Sequence, residues 1–232
     1  NSGNQRLHAM VVLAAVATFS FLYAQPYSIN KLYRQDRPAM LFNSVCTTDS
    51  GYIILGSLAD YNPPYYARLF VGRIDSNGIF NGYKAVYDSV DTLYRTTGNS
   101  MIQLEDGEYA FTAGSISTVP KLVFGLYQPN TGSIKIFEYY TPNSYAFHGY
   151  DNVEYPGKTF YVTGARTDSS TGKADVVLLK IDSNGNRLWQ KYYGTPSTAE
   201  FGCSLIKLRN GNMMIGSGKR DLNDQHEHAY TS

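Results

Sequence analysis

A strand–turn–strand segment occurs four times along this chain, and the repeat constrains the fold more than any other feature of the sequence. Each copy joins two apolar runs through a polar turn with a glycine, at Gly51, Gly107, Gly157 and Gly211. The spacing between successive turn glycines is nearly constant. It corresponds to a period of about fifty residues, which is typical of repeat architectures in which each unit is one supersecondary structure. The chain is therefore predicted to fold as successive copies of one β-unit.

A second hairpin is predicted within each unit, most clearly over residues 174–192, where an Asn-Gly pair at 184–185 separates two apolar runs. Asn-Gly is a strong hairpin signal because both residues tolerate the positive φ angles of a type I′ turn. Similar turns occur at 77–78 and 130–132. Two hairpins per unit give four strands, the blade of a β-propeller. We predict an all-β propeller over residues 42–232, with three full blades and part of a fourth.

The segment 1–24 is predicted to contain a secretory signal peptide. Residues 10–24 form an uncharged run, shorter than the roughly 20 apolar residues that a membrane-spanning helix needs. The run ends at Ala24, a small residue of the kind that precedes signal cleavage, so no membrane span is expected after processing. Because residue 1 is not methionine, two alternatives remain open. Either Met10 is the true start and residues 1–9 lie upstream of it, or the chain is a piece of a longer one.

The part of the chain after the signal peptide is predicted to have two regions. Residues 25–41 form an N-terminal extension or a closing strand, and residues 42–232 form the partial propeller. Propellers close with about four to eight blades. Three blades and part of a fourth therefore predict that the chain is the N-terminal fragment of a larger protein.

Charge and cysteine content exclude several classes of protein. Twenty Lys and Arg residues against nineteen Asp and Glu give a net charge of +1, so no overall field attracts nucleic acid or anionic lipid. Two cysteines, Cys46 and Cys203, follow the signal peptide. Both lie in apolar stretches predicted as strands of different blades, which favours two buried thiols over one disulfide bond.

The repeats also resemble a known family. Residues 49–56 read Asp-Ser-Gly-Tyr-Ile-Ile-Leu-Gly, and residues 178–191 include Lys-Ile-Asp-Ser-Asn-Gly-Asn followed by Trp-Gln-Lys. This pattern is similar to the repeats of secreted bacterial propeller proteins, many of which end in a type IX secretion sorting domain. The resemblance covers residues 42–220 and departs in the second unit, where Tyr-Gln-Pro-Asn-Thr-Gly stands at 127–132. It implies export and a surface or extracellular location, but no particular activity.

Five residues are the candidates for contact with a ligand. Tyr61, Tyr65 and Tyr66 lie in a proline-stiffened loop, and exposed aromatic rings suit stacking on sugars or anchoring a protein partner. His148 and Asp151 open the third unit, near the predicted propeller rim. We identify no nucleophile in a catalytic context, no cofactor motif and no metal site.

Residues 182–193 match a calcium-binding loop at some positions and fail at others. Asp182, Asn184 and Asn186 offer oxygens at positions one, three and five. The sixth position is Arg187 where the sharp turn requires glycine, and the twelfth is Tyr193 where a glutamate completes the oxygen shell. A hairpin turn is therefore predicted.

These features lead to three hypotheses about function. The first is an exported β-propeller that binds a protein or glycan ligand at its rim, as a binding or structural module without evident catalysis. The alternative is the N-terminal part of a secreted carbohydrate-active hydrolase or lyase whose catalytic residues lie beyond Ser232. A propeller that merely spaces another domain from the cell is a third possibility. The identity of the ligand does not follow from the blades, because propeller loops vary independently of them.

Overall fold

Short apolar runs bounded by glycine turns fold into fifteen β-strands, and no helix forms among the residues that the structure describes. The computed structural model describes residues 39–48, 50–59, 67–86, 93–116, 119–221 and 227–231. All of them belong to one compact unit, 33–232.

The predicted signal peptide lies outside the described residues, and so does most of the predicted extension. The all-β prediction is confirmed. In the described part of the chain, nothing forms a helix long and apolar enough to span a membrane.

The strands form four antiparallel sheets in which consecutive strands pair. The first sheet contains β1 (Ala39–Thr48), β2 (Gly51–Ala59), β3 (Ala67–Asp75) and β4 (Phe80–Ala85). The second contains β5 (Leu93–Gln103), β6 (Tyr109–Ile116), β7 (Lys121–Gln128) and β8 (Ser133–Tyr140). The third contains β9 (Ser144–Tyr155), β10 (Thr159–Asp168), β11 (Ala174–Ile181) and β12 (Arg187–Tyr193). The fourth contains β13 (Thr198–Lys207), β14 (Met213–Asp221) and β15 (Glu227–Thr231). The predicted four-stranded repeat is thus confirmed in three sheets, and three described strands form the fourth.

The hairpin turns form where the sequence predicts them. Gly107, Gly157, Gly185 and Gly211 all have positive φ angles, between 79° and 84°, a region that glycine adopts without strain. At residues 182–186 the Asp182 carboxylate accepts hydrogen bonds from the backbone N–H groups of residues 184 and 186, at 2.9 and 2.8 Å. Hydrogen bonds from the Asn186 side chain and backbone lower the pKa of Asp182. The Asp182 oxygens therefore stabilise a hairpin turn, as the sequence predicts for this segment.

Strand β7 is buried on both faces because it lies between two sheets. Leu122, Phe124 and Leu126 pack into a core shared with the third sheet, where Phe160 contacts Phe124. The alternate residues of β7 face a second core, shared with the first sheet. Side chains alternate between the two faces of a strand, so a continuous apolar run is what a strand buried on both faces requires. These two cores hold the first three sheets together.

The first strand of each sheet contains a β-bulge or similar irregularity and, from the second sheet onward, packs on the preceding sheet. In β13 the pairing passes from Gly202 to Ser204 and leaves Cys203 without a partner residue. An extra residue interrupts the alternation of faces. Cys203 is accordingly an exposed free thiol, and the prediction that it is buried was wrong. The side chain of Cys46, in β1, lies outside the described residues.

Candidate functional site in the cleft between the third and fourth sheets

An open cleft of about 750 Å³ separates the third sheet from the fourth. One wall carries side chains of β10, β11 and β12, and the other carries side chains of β13 and β14. In an antiparallel meander, alternate connections lie at the same end. One end of the cleft therefore lies near the connections 169–173 and 194–197, and the other near the tight turns 156–158 and 209–212. We call these the loop end and the turn end of the cleft.

At the loop end the cleft combines an exposed aromatic ring with a buried carboxylate. Tyr193, the last residue of β12, lines the cleft and is 45% exposed, whereas Glu200 is 8% exposed. Glu200 accepts a hydrogen bond from the Thr195 hydroxyl at 3.1 Å and another from the Thr198 hydroxyl. These contacts fix a negative charge at the wall of the cleft. An aromatic side chain and a fixed hydrogen-bond acceptor in one cleft suit a ligand with both C–H and hydroxyl groups.

A second carboxyl group, that of Asp175, lies behind the loop that forms this end of the cleft. A Cβ atom at Gly194 would lie 2.1 Å from Asp175 Oδ1, so the Asp175 carboxyl group lies directly against the loop at that point. Burial raises the pKa of Asp175, and the nearby charge of Glu200 raises it further, while the Arg166 guanidinium opposes both effects. The loop end thus places two carboxyl groups close enough for their charges to interact.

Arg166 is held beside this group by hydrogen bonds, including one to the Asn143 carbonyl at 3.3 Å, and by a ring contact. Its Nη2 donates to Asp168 Oδ2 at 2.8 Å and its Nε donates to the Ser144 hydroxyl at 2.9 Å. Its guanidinium carbon lies 5.3 Å from the centre of the Tyr192 ring. Hydrogen bonds from Ser170 and the adjacent backbone lower the pKa of Asp168 to about 2. Arg166 is therefore fixed in place beside an ionised partner.

The turn end of the cleft is aromatic and positively charged. Tyr161, Lys180 and Trp189 lie opposite one another on adjacent strands. The rings of Tyr161 and Trp189 are 5.7 Å apart, and Lys180 Nζ lies 5.2 Å from the Tyr161 ring centre. Lys191 Nζ lies 5.5 Å from the Trp189 ring centre. Cross-strand pairs of this kind stabilise the sheet that carries them.

The structure does not bring the predicted contact residues together. Tyr61, Tyr65 and Tyr66 lie outside the described residues. His148 and Asp151 are both in β9 but reach different neighbours. A Cβ atom at Gly114, in the second sheet, would lie 2.0 Å from His148 Nδ1, whereas Asp151 reaches the fourth sheet. Ligand contact by these five residues stays a prediction.

Asp151 links β9 to β13. Its Oδ2 accepts a hydrogen bond from the backbone N–H of Leu205 at 2.8 Å, and its Oδ1 accepts one from Asn152 at 2.8 Å. Burial raises the pKa of Asp151 although both hydrogen bonds oppose the shift. The contacts show a carboxylate that braces two neighbouring sheets.

Thr195 and Glu200 are not among the residues that the sequence singles out. The tyrosine pair at 192–193 was visible as one of several aromatic clusters, but nothing in the sequence shows that Glu200 is buried against a neighbouring sheet. No group of three or more His, Cys, Asp or Glu side chains is placed to hold a metal ion in the part of the chain that the structure describes.

Comparison with known proteins places the chain by its fold alone. No family model matches the sequence, and no curated protein matches it. Among solved structures, the chain is similar to the endo-arabinase from Bacteroides thetaiotaomicron VPI-5482, with a TM-score of 0.54 and 13% sequence identity. The similarity covers 90% of this chain and 79% of that one. The arabinase is a β-propeller, and at this identity the similarity shows that this chain has an all-β, propeller-like fold.

Proposed function

We propose that this chain is the propeller domain of an exported carbohydrate-active protein and that it binds a glycan at the loop end of the cleft. The observation that carries the proposal is that the exposed Tyr193 side chain and the hydrogen-bonded carboxylate of Glu200 line the same cleft. Sugars present C–H faces to aromatic rings and hydroxyl groups to such acceptors. The similarity in fold to an endo-arabinase supports a carbohydrate ligand, and arabino-oligosaccharides are therefore the first ligands to test.

Replacing Tyr193 by alanine is expected to weaken the binding of linear arabino-oligosaccharides about tenfold, because an aromatic anchor is typically the residue with the largest share of the binding energy. Isothermal titration calorimetry measures the affinity directly. Tyr145→Ala is the matched control, since Tyr145 is 60% exposed and does not line the cleft. The proposal is wrong if neither arabino-oligosaccharides nor a wider glycan panel binds, or if both variants bind as tightly as the unmodified chain.

A second candidate function is cleavage of the bound glycan, which is favoured by the interacting charges of Glu200, in the cleft wall, and Asp175, behind the loop at the same end. Glycoside hydrolysis commonly uses one protonated and one ionised carboxyl group, and the raised pKa of Asp175 suits the protonated member. This candidate differs from the expectation that any catalytic residues lie beyond Ser232.

Glu200→Gln is expected to lower the rate of arabino-oligosaccharide hydrolysis at least about a hundredfold, because the amide can no longer act as a base or nucleophile. Reducing-end release gives the rate, and calorimetry checks that binding changes by only a few-fold. Asp182→Asn is the control, because Asp182 is a carboxylate with a lowered pKa that stabilises its own hairpin turn and does not line the cleft. Hydrolysis that persists unchanged in Glu200→Gln and Asp175→Asn would place the chemistry elsewhere in the protein.

A further inference from the structure

Three lysines face the cleft at its turn end, two from the third sheet and one from the fourth. Leu178 and Tyr193 line the cleft, and residues two apart on a strand share a face. Lys180, in β11, and Lys191, in β12, therefore lie on the cleft face of the third sheet. Cross-strand partners also share a face, and the partner of Lys207 in β14 lines the cleft. The three positive charges thus approach one space from two walls.

Each of these lysines lies over an aromatic ring. Lys207 Nζ is 4.7 Å from the centre of the Tyr155 ring. The two lysines of the third sheet lie 5.2 and 5.5 Å from the ring centres of Tyr161 and Trp189. The rings of Tyr155 and Tyr161 are 4.7 Å apart, and the Tyr155 hydroxyl donates to the Gly211 carbonyl at 2.9 Å. Because a ring face attracts an ammonium group within about 6 Å, the row of rings holds the three charges in place.

The acidic groups near these lysines along the chain are bound to other partners. Glu154 accepts a hydrogen bond from the backbone N–H of Glu105, in the second sheet. Asp182 accepts hydrogen bonds within its own hairpin turn, and Asp151 accepts them from two backbone N–H groups. Across the described segments, no ion pair includes any of the three lysines. Like charges on neighbouring strands repel one another, so a bound anion would relieve this repulsion.

The two ends of the cleft differ in charge along a single strand. Trp189, Lys191 and Tyr193 share one face of β12, which runs from the turn end to the loop end. The four residues from Trp189 to Tyr193 span roughly 13 Å of strand, a distance that an oligosaccharide can cover. At the loop end, the Glu200 carboxylate repels negative charge. The cleft therefore fits a ligand that is negatively charged at the turn end and uncharged at the loop end.

We propose that the cleft binds a glycan that contains uronic acid, a proposal that rests on the proposed function and names the class of glycan for the same site. The uronate carboxylates accept hydrogen bonds from the ammonium groups of Lys180, Lys191 and Lys207. A neutral sugar of the same chain contacts Tyr193 through its C–H face. A glycan sulfated on every sugar is disfavoured, because it would place negative charge against Glu200.

Trp189 emission reports on a ligand at the turn end, since Trp189 is the only tryptophan of the 232 residues. The probes are oligomers of galacturonic, glucuronic and mannuronic acid, each with its carboxyl-reduced form, which keeps the sugar ring and loses the charge. We expect at least one uronate oligomer to bind about tenfold or more tightly than its reduced form, because the charge-assisted contacts need the carboxylate. This preference should fall at about 1 M salt, where the screening length is only about 3 Å.

Lysine variants locate the preference. We expect the combined substitutions Lys180→Gln, Lys191→Gln and Lys207→Gln to abolish the preference for the uronate form. Lys135→Gln is the matched control, because Lys135 is an exposed lysine of β8 that does not line the cleft, and it should leave the preference unchanged. A preference that survives the triple variant overturns the assignment to these lysines, and tighter binding of dextran sulfate than of every uronate oligomer overturns the choice of uronate.

Tyr193→Ala separates a failure of this proposal from a failure of the proposed function. We expect it to weaken the binding of a uronate oligomer and of its reduced form alike. If the two forms bind equally and Tyr193→Ala weakens both, glycan binding stands and the preference for uronic acid is disproved. If no glycan binds, charged or neutral, the proposed function fails and the uronate preference fails with it.

Discussion

Replacing Phe124 by alanine is expected to lower the free energy of unfolding by about 3–5 kcal/mol, the usual range for removing a buried phenylalanine ring. Phe124 is completely buried, and its ring centre lies 4.9 Å from that of Phe160 and 6.3 Å from that of Phe137. Phe160 belongs to the next sheet, so the substitution leaves a cavity between two sheets that cannot collapse without moving one of them. Equilibrium urea unfolding followed by far-ultraviolet circular dichroism measures the change.

Two controls separate this cavity from a general effect of losing an aromatic ring. Tyr145→Ala removes a ring that is 60% exposed, and we expect a change within about 0.5 kcal/mol. Phe124→Leu keeps an apolar side chain at the same place and should cost less than Phe124→Ala. A cost below about 1 kcal/mol for Phe124→Ala, against the range expected for a buried ring, would mean that the second and third sheets do not share the core described here.

Local features of the sequence predicted the fold well because hairpins are local structures. The turn glycines Gly107, Gly157 and Gly211 mark the tight turns, and the apolar runs beside them form the paired strands. The run at 121–128 is apolar at nearly every position, as expected for a strand buried on both faces. Repetition reinforced these signals, because each unit predicts the same strand order as the one before it.

Features that depend on contacts between sheets were not predictable. The exposure of Cys203 follows from a bulge directly after Gly202. A glycine inside a strand is typical of a bulge, but it does not show which neighbouring side chain then faces solvent. The net charge of +1 also hides local clustering, since Lys180 and Lys191 both border the turn end of the cleft while Glu200 lines its loop end. Such positions are set by which faces of distant segments meet, so the candidate site emerged only from the structure.

Replacing Asp151 by asparagine is expected to lower the free energy of unfolding by about 2 kcal/mol, because a half-buried N–H group left without an acceptor costs about 1–3 kcal/mol. The two carboxylate oxygens of Asp151 accept hydrogen bonds from Leu205 and Asn152. An amide can accept only one of these bonds, because its nitrogen is a donor. Hydrogen exchange at the Leu205 amide should accelerate, since this bond joins the third sheet to the fourth.

Asp75→Asn is the matched control for this substitution. The Asp75 carboxylate also accepts hydrogen bonds from two backbone N–H groups, those of Asn77 and Ile79, but within a single hairpin and both at Oδ1, so the amide oxygen of asparagine can keep them. We expect the control to cost less than Asp151→Asn and to leave exchange at Leu205 unchanged. Equal exchange at Leu205 in Asp151→Asn and the unmodified chain would contradict a bracing role for Asp151.

The cost of Asp151→Asn is also expected to depend on pH, in a direction fixed by the pKa of Asp151. Burial raises this pKa above its ordinary value of 3.8 in the folded chain, so the folded state binds the proton more tightly than the unfolded state does. The resulting stabilisation is fully present below pH 3.8 and is lost as the pH rises through the raised value. Asparagine does not titrate, so the difference in unfolding free energy between the unmodified chain and Asp151→Asn should shrink as the pH rises through that window. Urea unfolding of both proteins across the window measures the difference, and a gap that instead widens with pH would show that the folded state prefers the ionised carboxylate.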